Sequence, residues 1–233
     1  MVATIKDLLE NGCHFGHPTK KWHPNMKKFI FTKRGGIYII DLAKTLNQLQ
    51  KAYNYLKEQA ANGAEFLIVG TKRHTRDIIR NEAKRANIHY IVERWIGGLF
   101  TNFSIIRSRI DYMLQLEKMA NEGILEQLPK KTAKKYYKEL QYLQNQYEGL
   151  RNMYKIPDVL IVVDVRREDI AIAEANKMGI PILGIVDTDG NPDIVSLPIP
   201  ANDDALKSVQ FLTAKIADAI FEGKNAYQST VAV

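Results

Sequence analysis

The chain has 233 residues, of which 45% are hydrophobic and 25% are charged, a composition typical of a globular protein with a substantial core. No apolar run is long enough to span a membrane, and the first residues, MVATIKDLLENG, lack the basic start and cleavage site of a secretory signal. The single cysteine, Cys13, excludes an internal disulfide and is typical of a reducing compartment. We therefore expect a cytoplasmic protein.

The whole chain has a formal net charge of +7 and an isoelectric point of about 9.3. Its positive charge is concentrated in the first half. Residues 1–110 hold 19 Lys and Arg against 8 Asp and Glu, residues 111–233 hold 14 against 18, and residues 156–204 hold 3 against 10. Clustered cations favour an anionic partner such as nucleic acid; basic residues that only keep the surface soluble are the alternative. We expect the acidic stretch to face solvent or a protein partner, because it would repel RNA.

The first elements are a short helix, a loop and a hairpin. Residues 4–11 are predicted to be helical, with Thr4 and Asp7 at the spacing of a capping box. Residues 13–28 have no period and contain two prolines, which predicts an extended loop. The run KFIFTKRGGIYIID then has two β-rich halves around a glycine pair, which predicts a β-hairpin.

Short apolar strands and amphipathic helices then alternate. A helix follows Asp41, the predicted N-cap, and ends before Gly63. The strand-like runs are EFLIVG, IHYIV, DVLIVVD, IPILGIVD and DIVSLPIP, and the helical runs between and after them are TKRHTRDIIRNEAKRAN, REDIAIAEANKMG and residues 202–222. This alternation predicts an α/β fold in which helices flank a mostly parallel sheet, as in Rossmann-like and flavodoxin-like proteins.

One long segment interrupts the alternation. Apolar residues step by three and four from Phe103 to Met113 and again from Tyr136 to Tyr154, with a turn region between them. Two such seams predict an antiparallel coiled-coil helical hairpin that protrudes from the α/β body. The predicted units are an α/β domain of residues 1–101 and 155–225, an inserted helical hairpin of residues 102–154 and a flexible tail of residues 226–233.

An α/β sheet invites a nucleotide-binding interpretation, but the turn VGTKRHT has neither G-x-G-x-x-G nor a P-loop pattern. Cations at this junction of strand and helix predict contact with a phosphate backbone, although a solvated basic helix start is the alternative. Asp164 ends a strand and is interpreted as a helix cap rather than a catalytic acid. The loop of residues 187–193 resembles a calcium loop, but Pro198 stands where its bidentate Glu is needed, so an acidic loop is favoured.

The stretch CHFGHPTKKWHP contains four possible metal ligands, which are Cys13, His14, His17 and His23. Its spacing does not match a structural zinc site, and a further ligand would have to come from far along the chain, for example Asp189 or Asp203. The same stretch places lysines around Trp22 between two prolines, and cations with flat rings suit irregular RNA. We favour RNA contact over a metal, with the histidines packed against the body.

Several long motifs resemble one known family. The runs LLENGCHFGH, KKWHPNMKKFIFTKRGGIYIIDL, FLIVGTKR, ERWIGGLFTNF and PDVLIVVDVRREDIAIAEANKMGIPILGIVDTDGNPD are similar to those of the second protein of the small ribosomal subunit, over residues 3 to about 222. The resemblance implies an α/β domain with a helical hairpin. It also implies a non-catalytic structural role without a cofactor, on small-subunit rRNA at the junction of head and body.

The resemblance further implies that the partners are rRNA and other small-subunit proteins, including the large mRNA-binding first protein, with no membrane and no homo-oligomer. The residues expected to contact rRNA are Lys20, Lys21, Trp22, Lys27, Lys28, Lys33, Arg34, Lys72, Arg73, His74, Arg76, Arg94 and Trp95. Five lysines between residues 130 and 138 could reach a second RNA segment or form a solvated helix face. A nucleotide- or phosphate-binding α/β enzyme and a metal-dependent RNA-binding module are the alternative functions.

Overall fold

The computed structural model describes the backbone of residues 2–231 and the side chains of residues 2–228. The strands in this range are β1 (Phe15–Pro18), β2 (Ile30–Arg34), β3 (Ile37–Ile40), β4 (Phe66–Val69), β5 (His89–Ile91), β6 (Val159–Val163), β7 (Ile182–Val186) and β8 (Leu197–Pro200). The α-helices are α1 (Ile5–Glu10), α2 (Leu42–Ala61), α3 (Arg76–Arg85), α4 (Phe103–Asn121), α5 (Lys130–Tyr147), α6 (Asp169–Met178) and α7 (Leu206–Val231).

The main sheet has five strands in the order β5-β4-β6-β7-β8, and each neighbouring pair is parallel. Every residue of β4, β6 and β7 is buried, because helices cover both faces of a parallel sheet. Successive residues of β4 enter opposite cores: Phe66 packs in the cluster with α2, α3 and α7, and Leu67 in the cluster with α4, α5 and α6. The predicted α/β fold with a largely parallel sheet and flanking helices is confirmed.

The order of the strands marks a crevice. Counted along the chain, the five parallel strands lie in the spatial order 2-1-3-4-5, the flavodoxin-like arrangement. The chain changes direction across the sheet between β4 and β6. Open α/β sheets bind ligands outside the carboxyl ends of the strands at such a point, so the residues after Val69 and Val163 occupy the expected position of a ligand site.

The second sheet has three antiparallel strands in the order β1-β3-β2. The predicted hairpin is confirmed: Gly35 and Gly36 join β2 to β3 with φ of +57° and +79°, values that glycine adopts at no steric cost. Strand β1 differs from the predicted loop, because its pairing with β3 is a tertiary contact that sequence periodicity does not show. A Cβ on Gly16 would lie 2.6 Å from the Thr188 side chain, so β1 packs directly on the loop after β7.

The predicted and observed ends of three helices can be compared. Helix α1 has both hydrogen bonds of the capping box between Thr4 and Asp7, as predicted. Helix α3 begins only at Arg76, so residues 72–74 lie in a turn before it. Helix α7 continues through Val231 where a tail from residue 226 is predicted, and residues 232–233 lie outside the described range.

The inserted segment contains the two predicted helices, α4 and α5. Their buried residues, including Ile110 and Leu143, belong to the same apolar cluster as Leu160 and Val162 of the central strand β6. Coiling of the pair, its protrusion from the body and the division into domains stay predictions. None of the helices within residues 2–231 has the length and hydropathy required to cross a membrane.

Candidate nucleic-acid interface

Five of the predicted RNA-contacting cations lie on the loop and hairpin around the small sheet. Lys20 and Lys21 lie in the turn after β1, Lys27 lies in the 3₁₀ helix that follows, and Lys33 and Arg34 end β2 at the hairpin turn. All five residues are exposed, and none of their side chains forms an ion pair or hydrogen bond within the described residues. Their charges are therefore uncompensated by the protein and available to phosphate.

Lys28 differs from these five cations, because its ammonium group lies 2.7 Å from a carboxylate oxygen of Asp193. Both side chains are about half exposed, so the pair is a surface ion pair that contributes little to stability. The charge of Lys28 is nonetheless partly compensated, and we rank it below Lys27 as an RNA contact.

Flat rings accompany the exposed cations. Trp22 is 37% exposed, and its ring centroid lies 5.3 Å from that of Tyr38 on β3. Phe31 on β2 is 73% exposed, although it is not among the residues predicted to contact rRNA. The sequence predicts the strand but not which face of the strand other elements leave uncovered. Exposed rings beside uncompensated cations are the arrangement that stacks on unpaired bases.

The cations at the strand ends fall into two groups. Arg73 and Arg94 are exposed and have no acidic partner within the described residues, so their role as phosphate contacts stays a prediction. The guanidinium of Arg76, however, contacts the Glu93 carboxylate and donates a hydrogen bond to the Glu93 carbonyl oxygen (3.1 Å). The ring nitrogen Nε2 of His74 lies 2.9 Å from the carbonyl oxygen of Asp204, so this side chain is already bound to the protein.

Lys72 is not a surface cation. Its side chain is 12% exposed, and its ammonium group contacts carboxylates of Asp164 (2.9 Å), Asp203 (2.5 Å) and Asp204 (2.6 Å). Burial by itself would lower the pKa of Lys72, but the surrounding carboxylates outweigh burial and raise it. The expectation of an RNA contact at Lys72 is therefore corrected, because acids from the second half of the chain surround it.

Trp95 also requires a correction. Its ring is 7% exposed and packs edge to face on Phe100, and its indole nitrogen donates to the carboxylate of Glu174 (3.1 Å). The same carboxylate accepts hydrogen bonds from the backbone nitrogens of Gly98 (2.7 Å) and Phe100 (3.1 Å). Burial tends to raise the pKa of Glu174, but these donors lower it overall. Trp95 and Glu174 thus hold the loop that presents Arg94.

The acidic stretch is not simply a solvent-facing surface. Asp164, Glu168, Asp187 and Asp203 are all buried, contrary to the expectation for residues 156–204. They are buried because β6, β7 and β8 end at one edge of the sheet, where they meet residues of the first half of the chain. Burial raises the pKa of Glu168, which nevertheless accepts two hydrogen bonds from Thr71.

The possible metal ligands of residues 13–23 do not come together in the fold. The sulfur of Cys13 is buried and lies 3.3 Å from the Ser208 hydroxyl, and Nδ1 of His23 accepts a hydrogen bond from the backbone nitrogen of Asn25. His17 instead faces three acids, Asp187, Asp189 and Asp204. The hydrogen bond with Asp187 raises the pKa of His17 to about 9.

The crevice after β4 and β6 is not arranged like a nucleotide site. Its residues bind one another: Lys72 contacts Asp164, and Arg167 donates to the hydroxyl of Thr71 (2.8 Å). A side chain on Gly70 would overlap with Ile79 of α3, so this glycine permits close packing of helix on strand. The geometry gives no support to the alternative of a nucleotide-binding enzyme.

Comparisons with known proteins give the family. The family model described as "Ribosomal protein S2" matches residues 8–223. The chain is 54% identical to "Small ribosomal subunit protein uS2" of Dictyoglomus thermophilum (strain ATCC 35947 / DSM 3960 / H-6-12) over 221 residues, which cover 95% of this chain and 90% of the relative.

A second relative, the protein of the same name from Dehalococcoides mccartyi (strain ATCC BAA-2100 / JCM 16839 / KCTC 5957 / BAV1), is 48% identical over 229 residues, which are 98% of this chain and 94% of the relative. The match extends over both halves of the sheet and the inserted helices. On this basis the chain belongs to the ribosomal protein S2 family, which is structural and non-enzymatic.

Proposed function

We propose that the chain is a structural component of the small ribosomal subunit and binds its rRNA through the basic segment of residues 19–36. The observation that carries the proposal is the set of exposed, unpaired cations in this segment, which are Lys20, Lys21, Lys27, Lys33 and Arg34. Lysine and arginine neutralise phosphates and release counterions, and this supplies most of the affinity for a folded RNA. Arg73 and Arg94 are proposed to extend the contact to the strand ends.

Recognition of the RNA is proposed to depend on shape and stacking rather than on base edges. The deep major groove of an RNA helix excludes side chains, so proteins contact its backbone or its unpaired bases. Trp22 and Phe31 are proposed to stack on such bases, since their rings are exposed beside the cations. Trp95 is left out of the proposal, and Lys72 is left out because its charge is satisfied within the protein.

A second RNA contact is proposed on the inserted helices. One face of α5 carries five exposed lysines without an ion pair in the described part of the chain, namely Lys130, Lys131, Lys134, Lys135 and Lys138. A solvated helix face remains the competing interpretation. Loss of RNA protection after these lysines are replaced by glutamine would separate the two.

The finer placement at the junction of head and body, next to the large mRNA-binding first protein, is proposed from the family resemblance. A protein neighbour needs an exposed apolar contact, and α1 offers Ile5 and Leu9, which are 50% and 52% exposed and one helical turn apart. Phe15 at the start of β1 is 45% exposed as well. Replacing Ile5 and Leu9 by Asp should release the neighbouring protein from isolated subunits without unfolding the chain, whose core these side chains do not enter.

The test of the rRNA proposal compares two chains with the same net charge. The first has Lys20, Lys21, Lys33 and Arg34 replaced by Glu. The control has four other exposed lysines replaced by Glu, which are Lys51, Lys84, Lys177 and Lys207. Each chain is titrated with small-subunit rRNA over a series of salt concentrations.

We expect the first variant to bind more weakly and to lose roughly 0.7 to 0.9 in the slope of log affinity against log salt for each contact removed. The control should lose little beyond the effect of net charge. Equal losses in the two variants would contradict the proposal, because general charge rather than the basic segment would then explain binding.

A further inference from the structure

A cavity of about 470 Å³ lies in the crevice at the carboxyl ends of β4 and β6, beside the ion pairs of Lys72. Its wall is formed by Thr71 after β4, by residues of the loop 93–97 after β5, and by residues 167–171 around the start of α6. Open α/β sheets bind ligands at this position, in cavities of roughly 300–1,000 Å³. The cavity therefore has the place and the size of a ligand site, although ion pairs close the neighbouring part of the crevice.

The carboxylates in the wall of this cavity are already bound to the protein. Glu93 contacts the guanidinium of Arg76. Glu168 is 2% exposed and accepts hydrogen bonds from the backbone nitrogen (2.9 Å) and the hydroxyl (2.6 Å) of Thr71. The carboxylate of Asp169 accepts a hydrogen bond from the backbone nitrogen of the next residue (2.8 Å).

The two arginines in the wall have no acidic partner. Arg94 and Arg167 are exposed, and no carboxylate of the described residues lies within ion-pair distance of either. Nε of Arg167 donates to the hydroxyl of Thr71 (2.8 Å), and the two terminal nitrogens of its guanidinium have no partner in the described part of the chain. Unpaired guanidinium groups attract an anion, and their planar fork matches the oxygens of a phosphate.

The rest of the wall suits a flat, apolar group. Ile170 at the start of α6 is 57% exposed. A Cβ on Gly97 would have no atom within 4 Å, so the backbone of the loop is open to close approach on this side. A phosphate ion alone would leave this part of the cavity empty. A nucleotide has both groups, a phosphate for the arginines and a ring for the apolar wall.

We propose that this cavity takes up one unpaired nucleotide of the bound rRNA, with its phosphate on Arg94 and Arg167 and its base between Ile170 and the backbone of Gly97. The nucleotide must be unpaired, because the bases of an RNA helix are stacked inside it. This proposal rests on the rRNA binding proposed above and adds a pocket for a single nucleotide to the basic segment of residues 19–36.

The test follows Trp95, whose ring forms part of the wall. The chain has two tryptophans, so Trp22→Phe, which keeps a flat ring, leaves Trp95 as the single fluorescent indole. Titration of this full-length chain with small-subunit rRNA should change the fluorescence of Trp95 saturably. Absence of a change at saturating rRNA would overturn the proposal.

Gly97→Leu, made in the same chain, fills the cavity. Its backbone does not have the positive φ that favours glycine, and no neighbouring atom opposes the new side chain, so the variant should fold normally. It should abolish the fluorescence change and weaken rRNA binding by at least about fivefold. The matched control is Ser104→Leu, which adds the same side chain at an exposed position of α4 outside the wall. A fluorescence change that persists in Gly97→Leu would contradict the proposal.

A second pair of variants tests the phosphate contact. Arg167→Gln should lower the slope of log affinity against log salt by roughly 0.7, because one phosphate contact is lost. Arg166→Gln is the control, since the neighbouring guanidinium pairs with Asp189 (2.6 Å) and does not line this cavity. Equal slopes in the two variants would count against a phosphate at Arg167.

Two further arms separate this proposal from others. The chain with a charge-reversed basic segment tests rRNA binding independently; if it binds weakly as expected while Trp95 of the unreversed chain does not respond to rRNA, only the cavity proposal fails. The second arm titrates the chain with AMP, CMP, GMP and UMP. These free nucleotides should not change the fluorescence of Trp95 at micromolar concentrations, and saturable binding of one of them in that range would overturn rRNA as the source of the nucleotide.

Discussion

Two clusters of cations in this protein have opposite surroundings. On the loop and hairpin of residues 19–36, Lys20, Lys21 and Lys33 are exposed and have no acidic partner among the described residues. At the carboxyl ends of β4 and β6, Lys72 is mostly covered and contacts three carboxylates. The sequence marks both places as basic, but the charge of Lys72 is compensated within the protein and is not free to neutralise phosphate. A cation indicates a nucleic-acid contact only when the fold leaves it without a carboxylate.

Lys72→Met should have a greater effect on stability than the other substitutions considered below. We expect a loss of about 3–5 kcal/mol in the free energy of unfolding, because Asp164 and Asp203 would remain buried without their partner. Urea denaturation measures the loss. The rRNA affinity of the folded variant should equal that of the unaltered chain at the same salt concentration. A stable variant that binds rRNA poorly would instead show that Lys72 contacts the RNA.

Phe31→Ala tests whether the exposed ring beside the cations of residues 19–36 contributes to rRNA binding. Removing this 73% exposed ring should weaken rRNA binding by about 1–3 kcal/mol through lost stacking. Its effect on the free energy of unfolding should stay within about 0.5 kcal/mol, since no core contact is lost. Filter binding measures the affinity and urea denaturation the stability, and Leu9→Ala, which truncates a 52% exposed side chain on α1, is the control. An unfolded variant, or unchanged affinity, would contradict the proposed role.

A smaller effect concerns the loop that presents Arg94. Glu174→Gln keeps the shape of the side chain but removes the negative charge that the donors of Trp95, Gly98 and Phe100 favour. We expect a loss of about 1–2 kcal/mol in stability at neutral pH. The loss is measured by thermal or urea unfolding.

The pH dependence of this loss has a definite sign. Because the pKa of Glu174 is lowered from 4.5 in the folded protein, its stabilising contribution is present above that value and disappears as the pH falls through the folded pKa. The difference between the unaltered chain and Glu174→Gln should therefore shrink on acidification below about pH 4.5. A difference that stays constant down to pH 3 would show that the carboxylate charge is not what holds the loop.

Elements that depend on local interactions were predicted well. The capping box of α1 involves residues three apart, and the hairpin turn depends on two adjacent glycines. Strand β1 was not predicted, because its partners are β3 and the distant residue Thr188, whose hydroxyl accepts a hydrogen bond from the backbone of His17. Trp95 was assigned to the surface because no sequence signal places Glu174, 79 residues later, against its indole nitrogen.

The sequence alone determined the α/β class, the family and the basic character of the first half of the chain, since these follow from periodicity, long motifs and residue counts. Only the tertiary structure decided which charges are free. Lys72 and Asp203 are 131 residues apart, and His17 and Asp187 are 170 apart, yet the parallel sheet brings the ends of their strands and loops to one edge. The physical reason is that charges compensate each other through space, over a few ångströms, and composition along the chain does not record that distance.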